Sequence, residues 1–153
     1  MDKKKIIVGV IDGQGASVGK YIVERLRDRL PGIYIRALGT TSLATGKMLK
    51  VGADDGASGE NAIVFNSGRV DILMGVVAIL MPNALLGEIT PKMAEAIGNS
   101  PAQKILLPLD HSNITIAMAE EHTFHQRVEI AVERVVQYCK ETFPEEEITH
   151  NLS

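Results

Sequence analysis

Residues 4–11 form a nearly unbroken apolar run, Ile6, Ile7, Val8, Val10 and Ile11, that stops at Asp12-Gly13. A run without alternation is expected of a strand covered on both faces, so this segment predicts a central parallel strand. After the glycines, Val18, Ile22, Val23, Leu26 and Leu30 fall on one stripe of a 3.6-residue helix, with Glu24, Arg25, Arg27 and Asp28 off it. Pro31-Gly32 stops that helix. Residues 33–38 predict a second strand. Gly39-Thr40-Thr41-Ser42 then leads into a short helix through Val51, with Ser42 as N-cap and Gly52 at the end.

Residues 54–59 (Asp-Asp-Gly-Ala-Ser-Gly) are too small and polar for an element interior and read as a loop. A helix over 60–66 follows, closed by Gly68. Residues 70–79 predict the next buried strand, and Pro82 ends its ladder within a loop over 81–86. Thr90 as N-cap, Pro91 at the first helical position and Gly98 past the end frame a helix over 91–97. Residues 104–109 form a further strand, residues 114–118 offer one more, and a long last helix covers 121–142. Its buried stripe is Val128, Ala131, Val132, Val135, Val136 and Cys139. The tail 144–153, opening with Glu145-Glu146-Glu147, reads as a solvated end. Alternating strands and helices predict a three-layer, Rossmann-like α/β domain over 1–143, with a mainly parallel sheet and helices on both faces. Both the dinucleotide-type and the flavodoxin-like strand orders fit.

Composition narrows the function classes. The chain has 153 residues, 16 Lys+Arg against 19 Asp+Glu, and a formal net charge of −3. With three Tyr, three Phe and no Trp, it lacks the basic, aromatic face that nucleic acids require. Cys139 is the only cysteine, which excludes an internal disulfide and a cysteine-cluster metal site. Its place on a buried stripe predicts an inert thiol. Met1-Asp2-Lys3-Lys4-Lys5 begins like a secretory leader, but the apolar run that follows is too short. The apolar stretch 72–86 is interrupted by Pro82 and Asn83 and is too short to span a bilayer. The expectation is a cytoplasmic protein.

The segment richest in chemistry is Asp12-Gly13-Gln14-Gly15-Ala16-Ser17-Val18-Gly19-Lys20, a glycine loop between a strand and a helix. There Gly13 serves a tight turn, Gly15 lets backbone approach a ligand, and Gly19 lets the helix pack close. Free N–H groups at the helix start favour an anion. The spacing is one residue longer than the common dinucleotide fingerprint. The end of the second strand carries Thr40, Thr41 and Ser42 in place of the carboxylate that holds the ribose of NAD. These hydroxyls, near Arg36, suit a 2′-phosphate instead. No Lys-Ser/Thr pair follows the last glycine, so a P-loop is excluded. Asp12 has three readings: it binds a sugar hydroxyl or amine, it holds a cation that bridges to phosphate, or it bonds local backbone N–H groups.

Other polar residues follow predicted strands: Asn83 and Glu88, then Asp110, His111, Ser112 and Asn113. Asp12, Glu88 and His111 are the candidates for acid/base work in a shared cleft. Asp54, Asp55 and Glu60 read as a solvated turn. His122 and His125 read as surface residues with no third ligand, so no metal site is expected.

With Ile11-Asp12-Gly13-Gln14-Gly15, Leu38-Gly39-Thr40, Gly59-Glu60-Asn61-Ala62-Ile63-Val64 and Leu86-Gly87-Glu88-Ile89-Thr90-Pro91-Lys92-Met93-Ala94-Glu95-Ala96-Ile97, the chain resembles a small bacterial family classed as a domain of unknown function. The similarity covers residues 4 to 140. It implies a Rossmann-like protein, found mainly in anaerobic Gram-positive bacteria, and brings no established activity.

The leading expectation is a nucleotide- or dinucleotide-binding protein. Phosphate would lie on Gly13, Gln14, Gly15, Ala16 and Ser17, with Thr40, Thr41 and Ser42 along the sugar, and NAD(P) or another nucleotide as ligand, with or without Mg. One alternative is a metal-assisted or acid/base enzyme on a small phosphorylated or amino substrate, using Asp12, Glu88 and His111. The other is a non-catalytic homodimeric module that uses the apolar loop 78–86. A single Rossmann half has little wall to enclose a ligand, so a homo-oligomer is expected.

Overall fold

The computed structural model describes residues 4–111 and 113–153; the candidate Ser112 and the first three residues of the leader-like start lie outside them. Five parallel strands, β1 (Ile7–Asp12), β2 (Tyr34–Gly39), β3 (Asp55–Ser58), β4 (Ile72–Val76) and β5 (Gln103–Leu107), form one sheet in the order β3-β2-β1-β4-β5. The order decides between the two windings: it is the dinucleotide type. β1 pairs β2 from Ile7 opposite Tyr34 to Asp12 opposite Gly39, and pairs β4 from Val8 opposite Ile72. The winding reverses between β1 and β4, where the crossovers part to opposite faces and leave a crevice beyond the strand ends.

Helices α1 (Ser17–Arg29), α2 (Ser42–Lys50) and α5 (Phe124–Thr142) cover one face, and α3 (Glu60–Ser67) and α4 (Pro91–Asn99) pack together on the other. The α1 stripe buries Ile22, Val23 and Leu26, and the α5 stripe buries all six positions expected of it. Replacing one such leucine, Leu26, by alanine would cost about 2–5 kcal/mol through lost burial and the cavity left behind. Cys139 is fully buried, and burial pushes its thiol up to about 11, as an inert core thiol requires. Thr90 caps α4 by accepting the Met93 N–H, with Pro91 at the first helical position. No described helix is long and apolar enough to cross a membrane.

Several elements differ from the sequence expectation. Residues 55–58 are not loop but the edge strand β3, held by its ladder to β2 and by side chains. Arg36 grips Asp55 with Nε and Nη2, both at 2.8 Å, and the Tyr34 hydroxyl donates to the same carboxylate. Hydrogen bonds from Arg36 hold the Asp55 carboxyl below its ordinary value. Arg27 takes Asp54 at 2.6 Å. The acidic pair is therefore spent on arginines, and Arg36 is not free for a 2′-phosphate. Thr41, not Ser42, caps α2, by accepting the Ala44 N–H. β4 ends at Val76 because Val77–Leu80 turns into a 3-10 helix. Residues 114–118 are not a strand: the segment makes only an antiparallel bridge between His111 and Ile114.

The tail also holds an element that the sequence pattern did not announce. Glu145–Leu152 is a helix, α6, with the three glutamates in its first turn, where the helix dipole favours negative charge. Its anchor is Asn151, 1% exposed. The Asn151 side chain accepts the Ile6 N–H at 2.8 Å and donates to the carbonyls of Lys4 and Glu147. Gly32 is required opposite: a Cβ there would come within 2.8 Å of the Asn151 carbonyl oxygen.

Candidate functional site

Asp12 ends β1 with 7% of its surface exposed, and its side chain turns back onto its own loop. Oδ1 accepts the Gly13 N–H at 2.8 Å, and Oδ2 accepts the Gly19 N–H at 2.6 Å. Of the three readings, the geometry is that of a residue bonding local backbone. Burial pushes the carboxyl above its ordinary range against the pull of those two N–H groups, and the negative charge of Glu88 adds to the rise. Gly19 is needed for this clamp, since a Cβ there would lie 2.8 Å from both the Asp12 Cβ and the Met48 sulfur.

The loop's left-handed residues are not its glycines. Gln14 and Ala16 have φ of 47° and 54°, conformations that cost a non-glycine residue of the order of 1–2 kcal/mol. Gly13 is present for space: a Cβ on it would meet Glu88 Oε1 at 2.4 Å and Thr40 Oγ1 at 2.6 Å. Glu88 is the strut that holds this geometry. Its Oε1 accepts the Gln14 N–H at 2.8 Å and the Thr40 hydroxyl at 2.5 Å, tying the segment after β4 to the loops after β1 and β2.

These bonds leave a defined set of donors open. Among the described residues, the N–H groups of Gly15, Ser17 and Val18 have no partner, whereas those of Gly13, Gln14, Ala16 and Gly19 do. Ser17 and Val18 open the 13-residue α1, whose first turn carries no acidic residue. All three open groups belong to residues lining a cleft of about 200 Å³ at the switch point between β1 and β4. Val76 and Ala78 supply an apolar wall from the end of β4, Leu85 contributes from the segment after it, and Leu109, Asp110 and His111 close the side beyond β5.

The structure thus brings Asp12, Gly13, Gln14, Gly15, Ala16, Ser17 and His111 around one cleft. Thr40, Thr41, Ser42 and Glu88 do not line it. Thr40 donates to Glu88, Thr41 caps α2, and Ser42 is exposed on the first turn of that helix. The expected triad is not assembled either: Glu88 faces Thr40 and Gln14, Asp12 is occupied by backbone, and of the three only His111 lines the cleft with a side chain that has no hydrogen bond among the described residues. Asp110 accepts the Ile116 N–H at 2.9 Å instead of orienting His111. His125 packs edge-on against the Tyr21 ring, with centroids 4.9 Å apart. Among the described residues, no three His, Cys, Asp or Glu side chains converge to hold a metal.

Sequence reasoning missed the lysines. A groove of about 690 Å³ shares Gly15 and Ser17 with the cleft and is otherwise lined by Lys20, Lys47, Lys50 and Val51. Lys47 Nζ donates to the Gly15 carbonyl at 3.2 Å. The signal available in the sequence was the i,i+3 spacing of Lys47 and Lys50 at the end of a short helix.

Strand order and a cleft at the switch point define an α/β protein of Rossmann-like architecture. Residues 6–140 match the model of DUF3842, a domain of unknown function, and the chain belongs to that family. No curated protein matches the chain. Among solved structures it is similar to the dodecameric FMN-dependent UbiX-like decarboxylase from Escherichia coli O157:H7, at 15% identity over 96% of this chain and 88% of that one, with a TM-score of 0.40.

Proposed function

We propose that the chain binds a small phosphate-bearing molecule of the nucleotide or dinucleotide class in the cleft between the ends of β1 and β4. The observation that carries this reading is the trio of unpartnered N–H groups, Gly15, Ser17 and Val18, at the start of a 13-residue helix that borders the cleft. A phosphate oxygen is the acceptor such donors suit, and the helix dipole favours its charge. The carboxylate of Asp12 does not oppose this, because both its oxygens are already held by backbone N–H groups. The apolar wall of Val76, Ala78, Leu85 and Leu109 suits a base or nicotinamide-like ring rather than a second charged group.

The sugar contact moves relative to the sequence expectation. Thr40, Thr41 and Ser42 lie outside the cleft, so a ribose or headgroup there would meet Gln14, Ser17, Asp110 or His111, the last two on the side beyond β5. The metal-assisted or acid/base alternative has only His111 in its support. Association of two copies has Leu86 in its favour, 96% exposed beside Leu85 at the rim.

The test is a thermal-shift panel of NAD, NADP, adenine and guanine nucleotides and flavin mononucleotide, run on the wild type and on Gly15→Val. A Cβ at Gly15 meets nothing within 4 Å and its φ is not left-handed, so the variant folds while its side chain projects into the open space over the loop that a bound phosphate would need. A ligand at about 100 times its Kd stabilises the wild type by roughly 2.7 kcal/mol. The expected result is one ligand class that shifts the wild type and leaves Gly15→Val unmoved. Equal shifts in both proteins would remove the loop as the phosphate site.

A further inference from the structure

The lysine groove has no role in the reading above. Lys20 on α1 and Lys47 and Lys50 on the last turns of α2 line one side of it, and Gly15 and Ser17 line both the groove and the cleft. The glycine loop is thus a low saddle between two cavities. At its crest Gly15 has no atom within 4 Å of where a Cβ would stand.

The lining of this groove gathers three lysines and no carboxylate. Arg25, Arg27, Arg29, Arg36 and Lys4 each have a carboxylate within 4.0 Å. Lys20, Lys47 and Lys50 have none among the described residues; Lys5, Arg69, Lys92, Lys104, Arg127, Arg134 and Lys140 also have none, but the groove brings three such cations into one cavity of a chain whose net charge is −3. The Lys47 ammonium keeps two N–H groups beyond the one given to Gly15. Three ammonium groups without counter-charges repel one another, and bringing an anion between them relieves that repulsion.

From this juxtaposition we infer that the groove is a second anion subsite, and that the ligand carries at least two phosphate groups, one on the loop donors and the next across the saddle among Lys20, Lys47 and Lys50. The inference rests on the phosphate reading of the loop and sharpens it: nucleoside monophosphates are poor ligands, and nucleotides with linked or additional phosphates are the preferred class.

The experiment titrates inorganic phosphate and then pyrophosphate into the full chain at matched ionic strength, following backbone amide resonances. Both anions are expected to move the Gly15, Ser17 and Val18 amides. Pyrophosphate is expected to bind at least about tenfold more tightly, the scale of several exposed ion pairs acting together. In Lys20→Gln/Lys47→Gln/Lys50→Gln that preference falls to about twofold or less. The double variant Lys20→Gln/Lys50→Gln, which keeps the Lys47 contact with Gly15, loses most of it too. An unchanged preference in both variants overturns the lysine subsite while leaving the loop site standing. Failure of either anion to move the loop amides in the wild type overturns both.

Discussion

After β1, Gln14 and Ala16 hold φ of 47° and 54°; after the turn that follows β4, Asn83, Leu85 and Leu86 hold 67°, 55° and 55°. Both segments sit at the same end of the sheet, and Glu88 joins them. They differ in what the left-handed backbone achieves. In the second segment the main chain closes on itself: the Asn83 N–H donates to the Ile89 carbonyl at 2.7 Å, Gly87 to Asn83, Glu88 to Leu85 and Ile89 to Ala84. In the first, the same kind of backbone leaves Gly15, Ser17 and Val18 with donors unspent. Strain of about 1–3 kcal/mol per residue persists only where the surroundings over-determine it. Here one strained turn is a self-sufficient bracket, and the other is an incomplete shell that the bracket holds in place.

The sharpest way to break that contrast is to place a methyl group on each of two glycines. At Gly13 it would meet Glu88 Oε1 at 2.4 Å and Thr40 Oγ1 at 2.6 Å, whereas at Gly15 it meets nothing. Gly13→Ala should lose about 1–3 kcal/mol of stability by urea unfolding, because the bracket must move away. Gly15→Ala should be neutral or gain about 0.4–1 kcal/mol from a less flexible unfolded chain. Equal losses would mean that the loop does not rest on Glu88.

Asp12 gives a smaller effect with a sign in pH. An asparagine can accept from only one of Gly13 and Gly19 and turns its NH2 on the other; an unmet buried donor costs roughly 1–3 kcal/mol. Relief of a buried charge offsets part of this, so Asp12→Asn should cost about 1 kcal/mol at pH 7. Because burial raises the Asp12 carboxyl in the folded state, the folded protein binds that proton more tightly than the unfolded chain. Its contribution is therefore fully present below the unfolded value of 3.8 and declines as pH rises through the raised folded value. The difference between wild type and Asp12→Asn should accordingly be larger at pH 4 than at pH 7. A difference that shrinks toward acid would mean the clamp favours the ionised form.

How much of this was legible in the sequence follows from where each interaction lies along the chain. β1 and the α1 and α5 stripes were readable because their burial follows local periodicity, and Thr90-Pro91 because capping acts within a single turn. β3 was not: Asp55, Gly56, Ala57 and Ser58 have no apolar pattern, and what makes them a strand is Arg36 and Tyr34 on a neighbouring strand. α6 was hidden for the same reason, since one buried asparagine ties it to Lys4 and Ile6 across 145 or more positions. At the site, the glycine loop announced itself, but Glu88 bonds Gln14 across 74 positions and Lys47 reaches Gly15 across 32. Of the residues offered as sugar contacts, Thr41 was drawn into the kind of local cap bond that short hydroxyl side chains make readily, and Thr40 into a bond with Glu88 across 48 positions.

The smallest predicted effect concerns the tip of the bracket. Leu86 holds φ of 55° with 96% of its surface exposed, so a bulky side chain occupies a conformation it disfavours and gains no burial. Asparagine tolerates the left-handed region far better and keeps the unfolded chain as restricted as an ordinary residue does. Leu86→Asn should therefore stabilise the chain by about 0.5–1 kcal/mol, part of the left-handed penalty of roughly 1–2 kcal/mol. The measurement is urea unfolding at two protein concentrations a hundredfold apart. A stabilisation that is the same at both means that Leu86 stands free in a monomer. A wild type that gains stability with concentration, and loses that gain on Leu86→Asn, means instead that a second copy covers this leucine and completes the rim of the cleft beside Leu85.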